Sequence, residues 1–360
     1  FIDGFGTLLA PAKKVTSILE ISNFGEFFAG IVNAPPMNAS STQSQIRKSN
    51  YVKKIKSEPD KVEIDLKKIP ESIQSLIEKI GVYDVDKATF LTKQLIDMNH
   101  DGVMDLLLFQ PDLPPMSSKI FHLKLQSEIF NSFNNCFSRI VPERIDDYTW
   151  ENDKVAFRTY GPAAQILVEE GKKGGIISSG IDCWLKKVDY PIINKWYKES
   201  EEKGISYHED HGEGLDNYHV GASRGAGGLA LKMGEKYYIS KNCINHETIS
   251  NGPLRTVFRL DYEDWDGPNG KISEHKIISL DLGSNLSKIE VYIEGTDKIS
   301  AGISLQENNG SIIELNNSIL LKQNHFHQWS LCEFRLLLFH ILAQNLQNEH
   351  QQEVYFFSLA

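Results

Sequence analysis

The sequence predicts a mainly β protein: a large antiparallel sheet or sandwich with a few short helices, preceded by a small β module. Two observations predict it. Between residues 150 and 320, apolar and polar residues alternate in one run after another, as on strands with a buried face. These runs recur every ~10 to 20 residues, with turns such as GPNG between them, the spacing of a sandwich rather than of βαβ units.

Residues 1–61 form an atypical segment. Its apolar, glycine-containing start leads into NAPPMNASSTQSQ, whose Pro35, Pro36 and Ser/Thr/Asn/Gln run read as linker or disorder. The lysines from Lys53 to Lys61 read as a solvated basic patch. Residues 62–130 read as the small β module. Val62, Ile64 and Leu66 alternate with polar neighbours. Ile73, Leu76, Ile77 and Ile80 take helical spacing behind Pro70, and strand-like VYDVD follows at once. QLIDMNHDGVMDLLLFQ reads as strand, turn, strand. Asp97, Asn99, Asp101 and Gly102 match the first half of a calcium loop, but Leu108 stands where its bidentate Glu belongs and Asp105 is the nearest substitute. The same residues suit a hairpin turn, which is the first expectation, with calcium second.

Residues 131–322 read as the sandwich domain. In KVAFRTYGP, Val155, Phe157 and Thr159 share one face and Ala156, Arg158 and Tyr160 the other, where Arg158 and Tyr160 either line a groove or face solvent. YPIINKWYKESEEKG reads as a helix, with Pro191 near its start and Gly204 as its stop. GGLALKM, KYYISKNC, LRTVFRLDY, EHKIISLDL, KIEVYIE and AGISL read as strands, and Arg255 and Arg259 share a face that can add a cationic lining. Residues 323–360 form an atypical tail, expected to be helical around Phe334 to Leu346. His325, His327, His340 and His350 are scattered and unrelated to the site.

Composition narrows the class. The chain has 360 residues, 41% hydrophobic and 24% charged, as in globular proteins. A net charge of -10 argues against nucleic acid as a general partner, though a local Arg/His cluster can still bind an anionic ligand. No apolar run approaches the ~20 residues of a membrane span. Cys136, Cys183, Cys243 and Cys332 are far apart, with no CxxC pair. No signal peptide is visible behind Phe1.

One stretch concentrates chemistry: YHEDHGEGLDNYHVGASRGAGG, from Tyr207 to Gly228. His208, His211 and His219 lie among acids, Tyr218 and Arg224, with too few apolar residues for a core segment. Imidazole, phenol and guanidinium held together serve proton transfer and anion binding; the alternative is a solvated surface loop. His208, Glu209, His211 and His219 also offer ligands for zinc or a related divalent ion, although H-x-x-H is not the spacing of a helical zinc site.

The segments AFRTYGPAAQ, GIDCWLKKVDYPIINKWY, YHEDHGEGLDNYHVGASRGAGGLAL, NCINHETISNGPLRTVFRLDYEDWD and ISLDLGSNLSKIEV resemble a bacterial domain-of-unknown-function family that includes a dehydratase of ulvan oligosaccharides. DMNHDGVMDLLLFQPDLPP resembles that family's N-terminal β module. The likeness runs from about residue 62 to 318. It implies a secreted or periplasmic protein of polysaccharide breakdown, with a β-sandwich like those of sugar mutarotases and some polysaccharide lyases. It also implies final strands that the sequence does not show, so the sandwich is expected to be cut short.

Dehydration of a terminal uronate in an acidic oligosaccharide needs a group to neutralise the carboxylate, a base for the proton beside it and an acid for the departing hydroxyl. Arg158 and Arg224, with Arg255 in reserve, suit the first role. His208 and His219, then His211, suit the second. Tyr218 or Tyr160 suits the third, and Trp184 either stacks on a sugar or fills core. The alternatives are a non-catalytic carbohydrate-binding sandwich and a sugar epimerase or mutarotase.

Overall fold

The computed structural model describes residues 61–112, 118–126, 133–216, 218–221, 223–296 and 300–303, and the backbone of five further strands at 16–22, 311–315, 318–323, 335–343 and 351–357. The linker, the lysine patch before Lys61, and Cys332, His325, His327 and His350 lie outside the described residues. The chain divides into two compact units, Phe1–Ser132 and Phe133–Ala360.

The first unit contains β1 (Thr16–Ser22), β2 (Val62–Asp65), β3 (Ile80–Asp84), β4 (Thr89–Leu91), β5 (Lys93–Ile96), β6 (Leu106–Phe109) and β7 (Ser118–Leu125). They form two antiparallel sheets, ordered β1-β7-β3-β4 and β2-β6-β5. Ile64, Ile80, Val82, Leu107, Phe109, Phe121 and Leu123 share one core. The expected helix after Pro70 is only α1 (Glu71–Gln74) and a 3-10 turn at Ile77–Lys79, because Ile80 already belongs to a strand. Between β5 and β6, the Asp97 carboxylate accepts hydrogen bonds from the backbone N–H of Asn99, Asp101 and Gly102. These bonds close a turn between two strands, the hairpin that was the first expectation for these residues.

The second unit contains β8 (Phe137–Val141), β9 (Asp147–Glu151), β10 (Val155–Thr159), α2 (Pro162–Glu169), β11 (Asp182–Lys186), α3 (Ile193–Lys203), β12 (Gly214–Leu215), β13 (Ala226–Met233), β14 (Lys236–Ile239), β15 (Cys243–Ser250), β16 (Arg255–Tyr262), β17 (Trp265–Gly267), β18 (Gly270–Asp281) and β19 (Leu286–Glu294). β20 (Ser300–Ile303), β21 (Ser311–Leu315), β22 (Ser318–Gln323), β23 (Arg335–Ala343) and β24 (Gln351–Phe357) complete it. A five-stranded sheet runs β12-β11-β10-β9-β8, and a nine-stranded sheet runs from β15 through β16, β18, β19, β24, β23 and β22 to β21, with β17 on β18. β14, β13 and β20 form a third sheet. The run around 334–346, expected to be helical, is strand β23 instead. A short apolar run does not distinguish the two states by periodicity, and here β22 and β24 pair with it on both sides.

Period-two alternation builds the main core. Tyr148 and Trp150, Val155 and Phe157, Phe258 and Leu260, Ile278 and Leu280, and Ile289 and Val291 turn one face of each strand into a shared cluster, which makes a sandwich of the two large sheets. The opposite face of the five-stranded sheet is covered as well. There Ala156 and Trp184 pack against Ile192, Ile193, Trp196 and Tyr197 of α3 and its entry. Buried Glu151 fixes that helix, accepting from the N–H groups of Ile192 and Ile193 at 2.9–3.1 Å and pairing with buried Lys186 at 2.9 Å. A carboxylate here satisfies N–H groups that a helix start leaves unpaired. Gly204, at φ +67°, ends the helix as expected. At the margin of the nine-stranded sheet, β15 slips register twice against β16, at Cys243/Asn245 and at Thr248/Ser250.

Candidate functional site

The histidine-rich segment leaves α3 at Gly204 and is fastened to the five-stranded sheet by its middle. Gly214 and Leu215 pair with Lys186 and Leu185 on β11. Only glycine fits at 214: its φ is +115°, and a Cβ there would meet the Leu185 carbonyl oxygen at 1.9 Å. Glu213 ties the segment to α3. Burial pushes its carboxyl up, but hydrogen bonds from Lys195, Tyr190 and Trp196 outweigh that and bring its pKa to about 2.

Behind this attachment lies a buried charge cluster. Arg158, on β10 and only 5% exposed, donates from Nε to Asp182 at 2.9 Å and from Nη2 to Asp216 at 2.7 Å. Its Nη1 lies 3.6 Å from Asp147 and donates to the Tyr207 hydroxyl at 3.4 Å. All three aspartates are buried. Burial pushes Asp147 up to about 7 although Arg158 and Arg144 pull the other way. Arg144, half-buried in the turn before β9, donates from Nε to the same Tyr207 hydroxyl at 3.3 Å.

His208 stands at the outer end of the cluster. Its side chain is 60% exposed, while Nδ1 lies 2.9 Å from the Asp216 carbonyl oxygen and 3.4 Å from its carboxylate. Both neighbours only accept, so Nδ1 carries a hydrogen, and in the neutral ring the lone pair is on Nε2. The ring also packs on Tyr207, with centroids 4.6 Å apart. The same aspartate therefore holds an interior guanidinium on one side and a solvent-facing imidazole on the other.

The other sequence candidates divide by burial. His211 and His219 are exposed; His211 Nε2 lies 3.1 Å from the Ser206 carbonyl oxygen, and His219 folds towards Gly221. A depression between α3 and the segment is lined by Trp196, Glu199, Ser206, Tyr207, Glu209 and His211. Arg224 is half-buried and donates from Nη1 to Ser179 Oγ at 3.3 Å and to the Ser240 carbonyl oxygen at 3.2 Å.

Three expectations need correction, and two open alternatives, those for Trp184 and for a metal, are narrowed. Arg158 lines no groove, because α3 and the segment cover its face of β10 and three aspartates surround its guanidinium. Trp184 is core, stacked on Trp196 and Tyr207. Tyr160 and Tyr218 are buried in the sandwich interior, and burial pushes the Tyr160 phenol well up, so neither faces a substrate. Arg255 is held side-on by Asp281, with Nη2 at 2.9 Å from Oδ2, and Arg259 pairs with Asp261, so that strand presents no free cationic lining. Among the described residues, no three His, Cys, Asp or Glu side chains converge as a metal-ligand set. The sequence reading missed Asp147, Asp182, Tyr207 and Arg144. An arginine inside a strand buried on both faces was the available signal, since such a charge requires counter-charges.

Comparison with known proteins places the chain among relatives of unassigned role. It is 53% identical over 239 residues to Uncharacterized protein P7 of Formosa agariphila, an alignment covering 66% of this chain and 60% of the relative's length. Two solved structures from Enterococcus faecalis align over 84% of the chain. One is a protein in glycosyl hydrolase family 38, at 8% identity, TM-score 0.37 and 39% of its own length. The other is an alpha-mannosidase, at 9% identity, TM-score 0.35 and 38% of its length. A family profile matches residues 52–323, well over half of the sequence, and the chain belongs to that family, described as Domain of unknown function (DUF4861).

Proposed function

We propose that the chain is a carbon–oxygen lyase that removes water from a terminal uronic acid of an acidic oligosaccharide. The observation that carries the reading is the Asp216–His208 pair, an exposed imidazole fixed through Nδ1 by a buried acidic residue so that Nε2 faces solvent as a base. The resemblance of the segment to the ulvan oligosaccharide dehydratase family supports the choice of substrate. His208 Nε2 takes the proton from the carbon next to the carboxylate. The electron pair forms a carbon–carbon double bond, and the hydroxyl on the next carbon leaves with a proton as water. With Tyr218 and Tyr160 buried, that proton comes from an exposed imidazole of the same segment, His211 or His219.

The test is absorbance of the conjugated double bond when uronate-terminated oligosaccharides are incubated with the protein. Replacing His208 by Ala or Gln lowers the rate by on the order of 10²–10⁴ and leaves the protein folded, at a cost of about 1 kcal/mol for the lost bond to Asp216. Turnover that survives both substitutions would remove His208 from the mechanism. Binding without product would identify a non-catalytic carbohydrate-binding protein.

A further inference from the structure

We infer that Arg144 is the residue that receives the sugar's carboxylate beside His208; the inference rests on the elimination reading for the identity of the ligand. Elimination needs a cation at the carboxylate, and the protein's own carboxylates take up two of the three candidates. Arg158 is enclosed by aspartates, Arg255 is held by Asp281, and the described hydrogen bonds of Arg224 run to Ser179 and Ser240. Arg144 is half-buried, and no described carboxylate oxygen lies within ion-pair distance of it. Its one described hydrogen bond runs from Nε to the neutral Tyr207 hydroxyl, so both Nη groups have no partner among the described residues. Two parallel N–H groups at the end of a guanidinium form a fork that matches the two oxygens of a carboxylate. Tyr207 joins this guanidinium to the base, since the phenol that accepts from Arg144 belongs to the ring packed on His208.

A second observation is independent of these contacts. The 3-10 turn Pro142–Arg144 is followed by two non-glycine residues in the left-handed region, Ile145 at φ +48° and Asp146 at φ +60°. A β-branched residue there is a true outlier, and such strain persists where the surroundings over-determine it, typically at binding sites. Gly161 shows how tightly this turn is held: a Cβ there would meet the Asp146 carbonyl oxygen at 2.2 Å. The strained turn sets the chain direction that carries Arg144 to Tyr207 and starts β9 at Asp147, next to Arg158.

The test uses the full chain with His208→Ala, so that binding is read without turnover. The probes are a uronate-terminated disaccharide and the same disaccharide with its carboxyl reduced to an alcohol. Adding Arg144→Gln raises Kd for the acid about tenfold to a hundredfold, the range for losing a charge-assisted pair, and leaves Kd for the reduced sugar unchanged. Arg144→Lys, which keeps the charge and loses the fork, gives a smaller rise for the acid alone, and is the variant read if Arg144→Gln does not fold. The inference is overturned by an unchanged Kd for the acid, by equal losses for both sugars, by a loss seen only with Arg224→Gln, or by no binding of the acid when Arg144 is intact. If the wild-type chain forms no unsaturated product while acid binding still depends on Arg144, the elimination reading fails and this subsite stands. If product forms but binding ignores Arg144, the subsite alone fails.

Discussion

Replacing Asp147 by Asn should make the protein more stable, by a small margin at pH 5 and a larger one at pH 8. In the folded chain burial raises the Asp147 carboxyl from 3.8 to about 7, despite Arg158 and Arg144 on one side, with Asp182 raising it further and the Tyr197 hydroxyl lowering it. Between those two values the native state holds a proton that the unfolded state has released. Stability therefore falls as pH rises through the window, and the loss is complete above about 7. A gap of about three pH units corresponds to about 4 kcal/mol. Asn resembles the protonated carboxyl, so the variant escapes the loss. Urea unfolding of both proteins at pH 5 and pH 8 reads the difference: about 1–2 kcal/mol in favour of the variant at the lower pH, where only the first part of the window has been crossed, and about 4 kcal/mol at the higher. A difference between variant and wild type that does not change with pH would refute the reasoning.

Arg158→Gln leaves Asp147, Asp182 and Asp216 buried around a neutral side chain, and should cost about 3–5 kcal/mol; adding Asp182→Asn should restore part of that, and strict additivity in the double-mutant cycle would show the residues uncoupled. Gly214→Ala forces the Leu185 carbonyl aside and should lift β12 from β11. The readout is faster hydrogen exchange at the Leu215 amide, with a stability loss of about 1–3 kcal/mol; unchanged exchange would mean the segment is held elsewhere. Trp184→Phe should lower stability while leaving KM for oligosaccharide unchanged, whereas a KM effect without a stability effect would return this tryptophan to the binding site.

What the sequence revealed and what it concealed follow from range. LRTVFRLDY, EHKIISLDL and KIEVYIE alternate because one face of each is buried, and they became β16, β18 and β19. The helix between Pro191 and Gly204 announced both of its ends, and α3 lies there. Arg158 was misjudged because its neighbours come from 147, 182 and 216, on separate elements, so no local pattern marks them. Strands β9, β10 and β11 are buried on both faces, which removes the polar face that alternation depends on. The histidine-rich segment was recognisable from composition. The position of His208 was not, because it is set by Asp216 folding back under the loop onto β10. Arg144 carries no motif at all.

The double register slip of β15 has a consequence for solubility. An open sheet border with evenly spaced donors and acceptors invites a second molecule to add a strand of its own, and exposed Ile244 would reward that attachment. Two interruptions within eight residues break the even spacing and deny a newcomer a continuous template. Deleting one of the extra residues would leave this chain folded and yet prone to stacking edge to edge.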